Sequence, residues 1–95
     1  MKDHELKCLD RFFGAIFDGS KPFEVRFNDR DYQVDDMLLL VEVRRKSTEC
    51  GVVYPVQTGR CVQRRVTYVL KHDDFPEGVP DGWCVLGLSD RSVTP

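Results

Sequence analysis

Phe12-Phe13-Gly14-Ala15-Ile16-Phe17-Asp18-Gly19-Ser20-Lys21-Pro22-Phe23-Glu24-Val25-Arg26-Phe27 carries two different hydrophobic periods on either side of a glycine. Before Gly19, Phe12, Phe13, Ile16 and Phe17 recur at i, i+1, i+4 and i+5, the stripe of an amphipathic helix. Asp10 stands where an N-cap is expected, and Gly19 is suited to the left-handed residue that stops a helix. After Pro22 the period drops to two. Phe23, Val25 and Phe27 share one side of a strand and Glu24 and Arg26 the other. A helix of about two turns does not persist alone in water, so it must pack on a sheet. The pattern predicts that Phe23, Val25 and Phe27 face the core, leaving Glu24 and Arg26 on the opposite, free face.

The rest of the chain supplies that sheet. Glu5–Leu9 reads as a strand with Leu6 and Cys8 inward. Asn28-Asp29-Arg30-Asp31 is a polar turn. Met37–Val43 is a nearly continuous apolar run suited to a central strand covered on both faces. Residues 44–59 form a basic, turn-rich excursion containing Gly51, Pro55 and Gly59, with a small strand at Val52-Val53-Tyr54. Arg60–Leu70 is the longest strand, with Val62, Arg64, Val66, Tyr68 and Leu70 on one side. Lys71–Gly82 is a loop and Trp83–Leu88 the last strand. The expected core is Phe12 or Phe13, Ile16, Phe23, Val25, Leu38, Leu40, Val66, Tyr68 and Leu86, with Trp83 read as core as well. The fold class is α+β, mostly β: a small, strongly bent antiparallel sheet or barrel plugged by one early helix. Residues 1–89 make one domain and residues 90–95 a frayed tail.

Composition narrows the function. The chain has 95 residues, 41% of them hydrophobic, and a formal net charge of −2. That balance excludes an intrinsically disordered chain and a wholly basic nucleic-acid binder. No apolar run approaches the ~20 residues of a membrane span, and the charged N-terminus is not a signal peptide, so a cytoplasmic protein with no membrane association is expected. Cys8, Cys50, Cys61 and Cys84 contain no CxxC pair and are read as reduced thiols; His4 and His72 lie far apart. No metal site and no cofactor are expected. The charge is unevenly spread: Arg44, Arg45, Lys46, Arg60, Arg64, Arg65 and Lys71 face Glu49 alone in the middle of an otherwise acidic chain. Such a middle fits a phosphate-facing surface, or a solvated hairpin whose cations pair with neighbouring acids.

Lys21, Glu24 and Arg26 are the candidates for chemistry. Alternation puts Glu24 and Arg26 on one face, and the turn at Gly19 can bring Lys21 to its rim. A guanidinium offers a planar fork, an ammonium a point charge, and a carboxylate an acceptor or general base. The same residues also suit a plain surface strand on which Glu24 and Arg26 bridge each other.

Gly19-x-Lys21-x-x-Glu24-x-Arg26 resembles the GxKxxExR signature of ASCH domains in the PUA-like superfamily. His4-Glu5-Leu6-Lys7, Asn28-Asp29-Arg30, Val34-x-Asp36-x-Leu38-x-Leu40, Thr58-Gly59-Arg60 and Val66-Thr67-Tyr68-Val69-Leu70 resemble a short bacterial and phage branch of that family, catalogued as a domain of unknown function. Val34-Asp35-Asp36 departs from it, because the family usually places glycine in the middle of this turn. The 44–57 segment also lies outside the shared pattern. The resemblance implies a PUA-like β-barrel whose cleft binds RNA or a nucleotide through Lys21, Glu24 and Arg26. Arg30 and Arg60 would be neighbouring anion contacts, Arg44, Arg45, Lys46, Arg64 and Arg65 would follow the nucleic-acid backbone, and Tyr32, Tyr54 or Trp83 would stack on bases. Two alternatives remain: a phage accessory factor that contacts a host protein through residues 44–57, and a small hydrolase, a nuclease or a modified-nucleoside amidohydrolase, using Lys21 and Glu24. The amidohydrolase pattern places threonine where this chain has Glu24, so its nucleophile is missing.

Overall fold

The structure, a computed structural model, describes residues 1–89; the tail expected over 90–95 lies outside them. Strand β1 (Asp3–Leu9) runs into helix α1 (Asp10–Phe17), followed by β2 (Phe23–Phe27), β3 (Met37–Ser47), β4 (Val53–Lys71), a short 3-10 turn at His72–Asp74, and β5 (Trp83–Leu88). The five strands form one sheet in the order β1-β3-β4-β5-β2.

The mostly-β α+β class agrees with the reading from sequence, but the closed antiparallel barrel does not. The sheet is open, with β1 and β2 as its two edges. Its β1–β3 pair is parallel, in register from Asp3 opposite Met37 to Leu9 opposite Val43. A parallel pair needs a long crossover, and here α1 and β2 supply it. The remaining pairs are antiparallel.

Apolar periodicity explains most of the core. Leu6 and Cys8 of β1, Phe13 and Ile16 of α1, Leu38 and Leu40 of β3, Val66 of β4 and Cys84 and Leu86 of β5 are all buried. The helix starts one residue earlier than its expected cap: Leu9 occupies the N-cap position without a side-chain bond, and the Asp10 carboxylate accepts the Arg11 N–H at 2.9 Å. Gly19 follows the helix at φ +88° and gives the chain its turn toward β2.

Three further expectations fail, each because of how the strands pair. Phe23, Val25 and Phe27 are 41%, 51% and 54% exposed, whereas Glu24 is buried. The alternation of β2 is as read, but its polarity is reversed, because β2 is an edge strand that aims its charged side at the other edge. Tyr68 is 61% exposed. A bulge between Val66 and Tyr68 shifts the register of β4 against β5 and turns Tyr68 outward, while Val69 packs on the core. Gly87 lies under the bulge, where an added Cβ would come within 2.9 Å of Thr67 Oγ1. Finally, residues 44–59 are not a loop. The β3 strand continues to Ser47 and pairs Arg44, Arg45, Lys46 and Ser47 with Val56, Pro55, Tyr54 and Val53. The segment is a β-hairpin arm that turns at Thr48–Val52, with Gly51 at φ +84°.

At the other end of β3, Asp35 takes φ +77° in the turn where glycine was the expected residue. Aspartate tolerates that region, and its carboxylate also accepts Arg65 Nη1 at 2.8 Å. Asp36 is buried; its carboxylate accepts the Lys2 and Gln33 N–H groups at 2.9 and 3.0 Å and meets His4 Nε2 at 2.9 Å. Burial pushes the Asp36 carboxyl upward, but these hydrogen bonds outweigh it and hold the group below its usual range. The cluster pins the start of β1 to the turn that launches β3.

Candidate functional site

The site lies in the seam between the two sheet edges. Where a barrel would run a backbone ladder from β1 to β2, side chains bridge instead. Arg26 Nη2 donates to the Lys7 carbonyl, and Arg30 Nη1 donates to the Glu5 carbonyl at 3.1 Å. Beyond the Arg26 bridge the seam widens into a cleft of about 530 Å³, and Lys21, Glu24 and Arg26 all line it. The structure therefore brings the three signature residues together.

Glu24 organises them. Its Oε1 accepts Lys21 Nζ at 3.1 Å and its Oε2 accepts Arg26 Nε at 2.8 Å, with Arg26 Nη2 at 2.7 Å. Lys21 Nζ also donates to the Phe23 carbonyl at 2.9 Å and stands over the Phe23 ring at 4.7 Å. Both cations keep partial exposure, 19% and 23% of their side chains, whereas Glu24 has only 6%. The carboxylate thus sits beneath two cations that reach the cleft, and the outward electrostatic face is positive. The Arg26 Nη1 group makes no hydrogen bond within the described residues and is a donor a ligand can use.

The lining is also aromatic, and the Phe12 ring lies 5.3 Å from Lys21 Nζ. Phe12, Phe27 and Trp83 line the cleft, each at least a third exposed. Phe27 lies across from Trp83 in the β2–β5 pair, and their rings meet edge to face at 5.8 Å. Trp83 is therefore not the core residue read from sequence. Reversing β2 moves Phe27 into the cleft wall, and register with β5 adds Trp83. Sequence reasoning missed Lys7, Cys8, Leu9, Phe12 and Phe27 altogether, because no local signal says that β1 will face β2 across a gap. Burial pushes the Cys8 thiol up to about 11, and the Glu24 charge adds to the effect.

The other candidates lie elsewhere. Arg30 borders a smaller recess beside Arg26 and Lys7. Arg60 belongs to a separate cluster. Between Val41 and Val43 the β3–β4 register shifts, so that Thr58-Gly59-Arg60 bulges over Glu42, with Gly59 at φ +96°. Arg60 Nε and Nη2 each donate to the Glu42 carboxylate at 2.9 Å, and Thr58 Oγ1 donates to it as well. Those hydrogen bonds hold the Glu42 carboxyl at about 2. Arg60 also stacks over Phe13 at 5.0 Å. Arg64 cannot track a phosphate backbone: it is buried, and its Nη2 donates to the Ile16 and Phe17 carbonyls at 3.2 Å, closing the C-terminus of α1. Arg65 is engaged by Asp35. Arg44, Arg45 and Lys46 lie on the arm, where strand alternation sends Arg45 to one face and the other two to the opposite face. Tyr32 is buried against His4 at a ring distance of 4.9 Å and is unavailable for stacking.

Among the described residues no group of three His, Cys, Asp or Glu side chains is arranged to hold a metal ion, and no helix is long and apolar enough to cross a membrane. The chain is 36% identical over 76 residues, 80% of its length, to an uncharacterized 12.9 kDa protein in GpA 3′ region of Escherichia phage P2, and the match spans 62% of that relative. Residues 3–88 match the family model described as a domain of unknown function, DUF3850. That match includes both seam edges, the signature residues and the arm, and the chain belongs to the DUF3850 family.

Proposed function

We propose that this chain is an RNA- or nucleotide-binding module of the PUA-like kind, and that its ligand enters the seam cleft between β1 and β2. One observation carries the reading: two partly exposed cations, held by a buried carboxylate, line one cleft together with exposed aromatic rings. Aromatic faces suit the planes of bases, and a guanidinium with a spare donor suits a phosphate or a base edge. A volume of about 530 Å³ suits a nucleotide-sized ligand, since small-molecule pockets run from about 300 to 1,000 Å³. The GxKxxExR signature supports the ASCH placement within the PUA-like superfamily.

Hydrolysis fits the same cleft less well. The lining offers one thiol, Cys8, and no hydroxyl, and that thiol is pushed up to about 11, so it stays protonated at neutral pH. Glu24 spends both oxygens on Lys21 and Arg26. The residues thus have the makings of recognition without an activated nucleophile.

The test is a titration of the chain with uridine and adenosine monophosphates and with short single-stranded RNA, beside the Lys21→Ala and Phe27→Ala proteins. Loss of either residue should weaken binding by about 1–3 kcal/mol. Binding that survives both substitutions would move the site away from the seam.

A further inference from the structure

A second recess, of about 270 Å³, adjoins the cleft at the base of the arm. Val43, Arg45, Val53, Tyr54 and Pro55 border it, together with Lys7 and Leu9, which also line the cleft. The two spaces therefore share a border at Lys7 and Leu9 of β1. Lys7 and Leu9 alternate with the core residues Leu6 and Cys8, so they stand on the face of β1 turned from the core.

We propose that the ligand is a single-stranded nucleic acid rather than a free nucleotide, with one base in the seam cleft, the next residue of the strand in the arm recess, and the phosphate between them held by Lys7 and Arg45. This rests on the reading under Proposed function and extends it to a polymer. Size is the first argument. The recess falls below the range of a self-sufficient ligand pocket, but it can take a continuation of a ligand already anchored next door. Charge is the second. Lys7 and Arg45 are exposed and take part in none of the ion pairs among the described residues, so both are available to an anion. Direction is the third. Of the three basic residues on the β3 side of the arm, Arg45 lines the recess, whereas Arg44 and Lys46 occupy the alternate strand positions. The path follows one face of the arm and is not a diffuse basic patch. The open sheet edge also lets a strand leave the cleft.

The experiment compares uridine monophosphate with an oligouridylate, titrated at several salt concentrations against the full chain and its Arg45→Ala and Lys46→Ala variants. The oligouridylate should bind roughly tenfold more tightly than the mononucleotide, the gain of about one stacked base. Arg45→Ala should abolish that gain and reduce the salt slope by about 0.7, the value of one single-strand phosphate contact. Its cost to the oligouridylate should exceed its cost to the mononucleotide, and Lys46→Ala should alter neither. A chain that binds the mononucleotide with no gain from length overturns this proposal while the cleft reading stands; an arm that serves a protein partner gives that result. Equal losses from Arg45→Ala and Lys46→Ala also overturn it, in favour of nonspecific attraction. Failure to bind either probe overturns both readings.

Discussion

Replacing Arg26 with alanine removes the residue that both ties the sheet edges and lines the cleft. In the folded protein its Nε and Nη2 reach Glu24 Oε2 at 2.8 and 2.7 Å, and Nη2 also donates to the Lys7 carbonyl on the other side of the seam. A hydrogen bond to a charged group contributes about 1.5–3 kcal/mol, and breaking a fully buried ion pair costs about 3–5 kcal/mol. Arg26 is 23% exposed and Glu24 keeps Lys21, so the lower part of that range applies, about 2–3 kcal/mol. For a domain of this size, each kcal/mol moves Tm by about 4–8 °C, giving a fall of roughly 8–24 °C. Thermal unfolding followed by circular dichroism measures it, and the same protein, held well below its Tm, is then titrated with uridine monophosphate. Binding should weaken by about 1–3 kcal/mol. A Tm within about 2 °C of the parent would refute the account of the seam, because the bridge would then contribute no more than an exposed contact. A large fall in Tm with unchanged binding would sink the functional reading and leave Lys21, Glu24 and Arg26 as a structural clamp.

Further outcomes follow from other parts of the molecule. Phe13 is fully buried beneath Arg60, so Phe13→Ala should cost about 3–5 kcal/mol in urea unfolding; a cost below about 1 kcal/mol would contradict the packing. The Glu42 carboxyl lies at about 2 instead of its ordinary 4.5, so its stabilisation is complete above pH 4.5 and is lost as the pH falls through about 2. Glu42→Gln should flatten the loss of stability in that acid window, and an unchanged pH profile would show that the Thr58–Arg60 clamp is not formed in solution. Cys8 and Cys84 are buried with raised thiol pKa values, while Cys50 and Cys61 are exposed. A thiol reagent at neutral pH should therefore label two groups quickly in the native chain and four after denaturation; rapid native labelling of all four would contradict the core.

The periodicities before and after Gly19 were enough to place α1, β2 and the turn between them, since a helix and a strand leave different spacings in the stretch from Phe12 to Phe27. Asp35, standing where the resemblance led one to expect glycine, takes a positive φ that aspartate tolerates, and the signature drew attention to Lys21, Glu24 and Arg26. Which side of β2 faces inward could not be read locally. Phe23, Val25 and Phe27 look like core, and in a central strand they would be. At the edge of an open sheet the energetic ordering changes: Glu24 finds two cations and Arg26 finds the unpaired Lys7 carbonyl, while the rings go to the rim. The same holds for Tyr68, turned outward by a bulge that only the pairing with β5 defines, and for Arg64, drawn in to donate to the carbonyls at the end of a helix 47 and 48 residues away in sequence. Residues 44–59 look like a loop because Gly51, Pro55 and Gly59 interrupt them, yet they fold as an arm because each β3 residue from Arg44 to Ser47 finds a partner on β4. Sequence alone determined which residues alternate and where the chain turns, because these depend on neighbours along the backbone. Tertiary structure decided which face is buried and which aromatic residues meet the charged triad, because both depend on two sheet edges that approach without pairing.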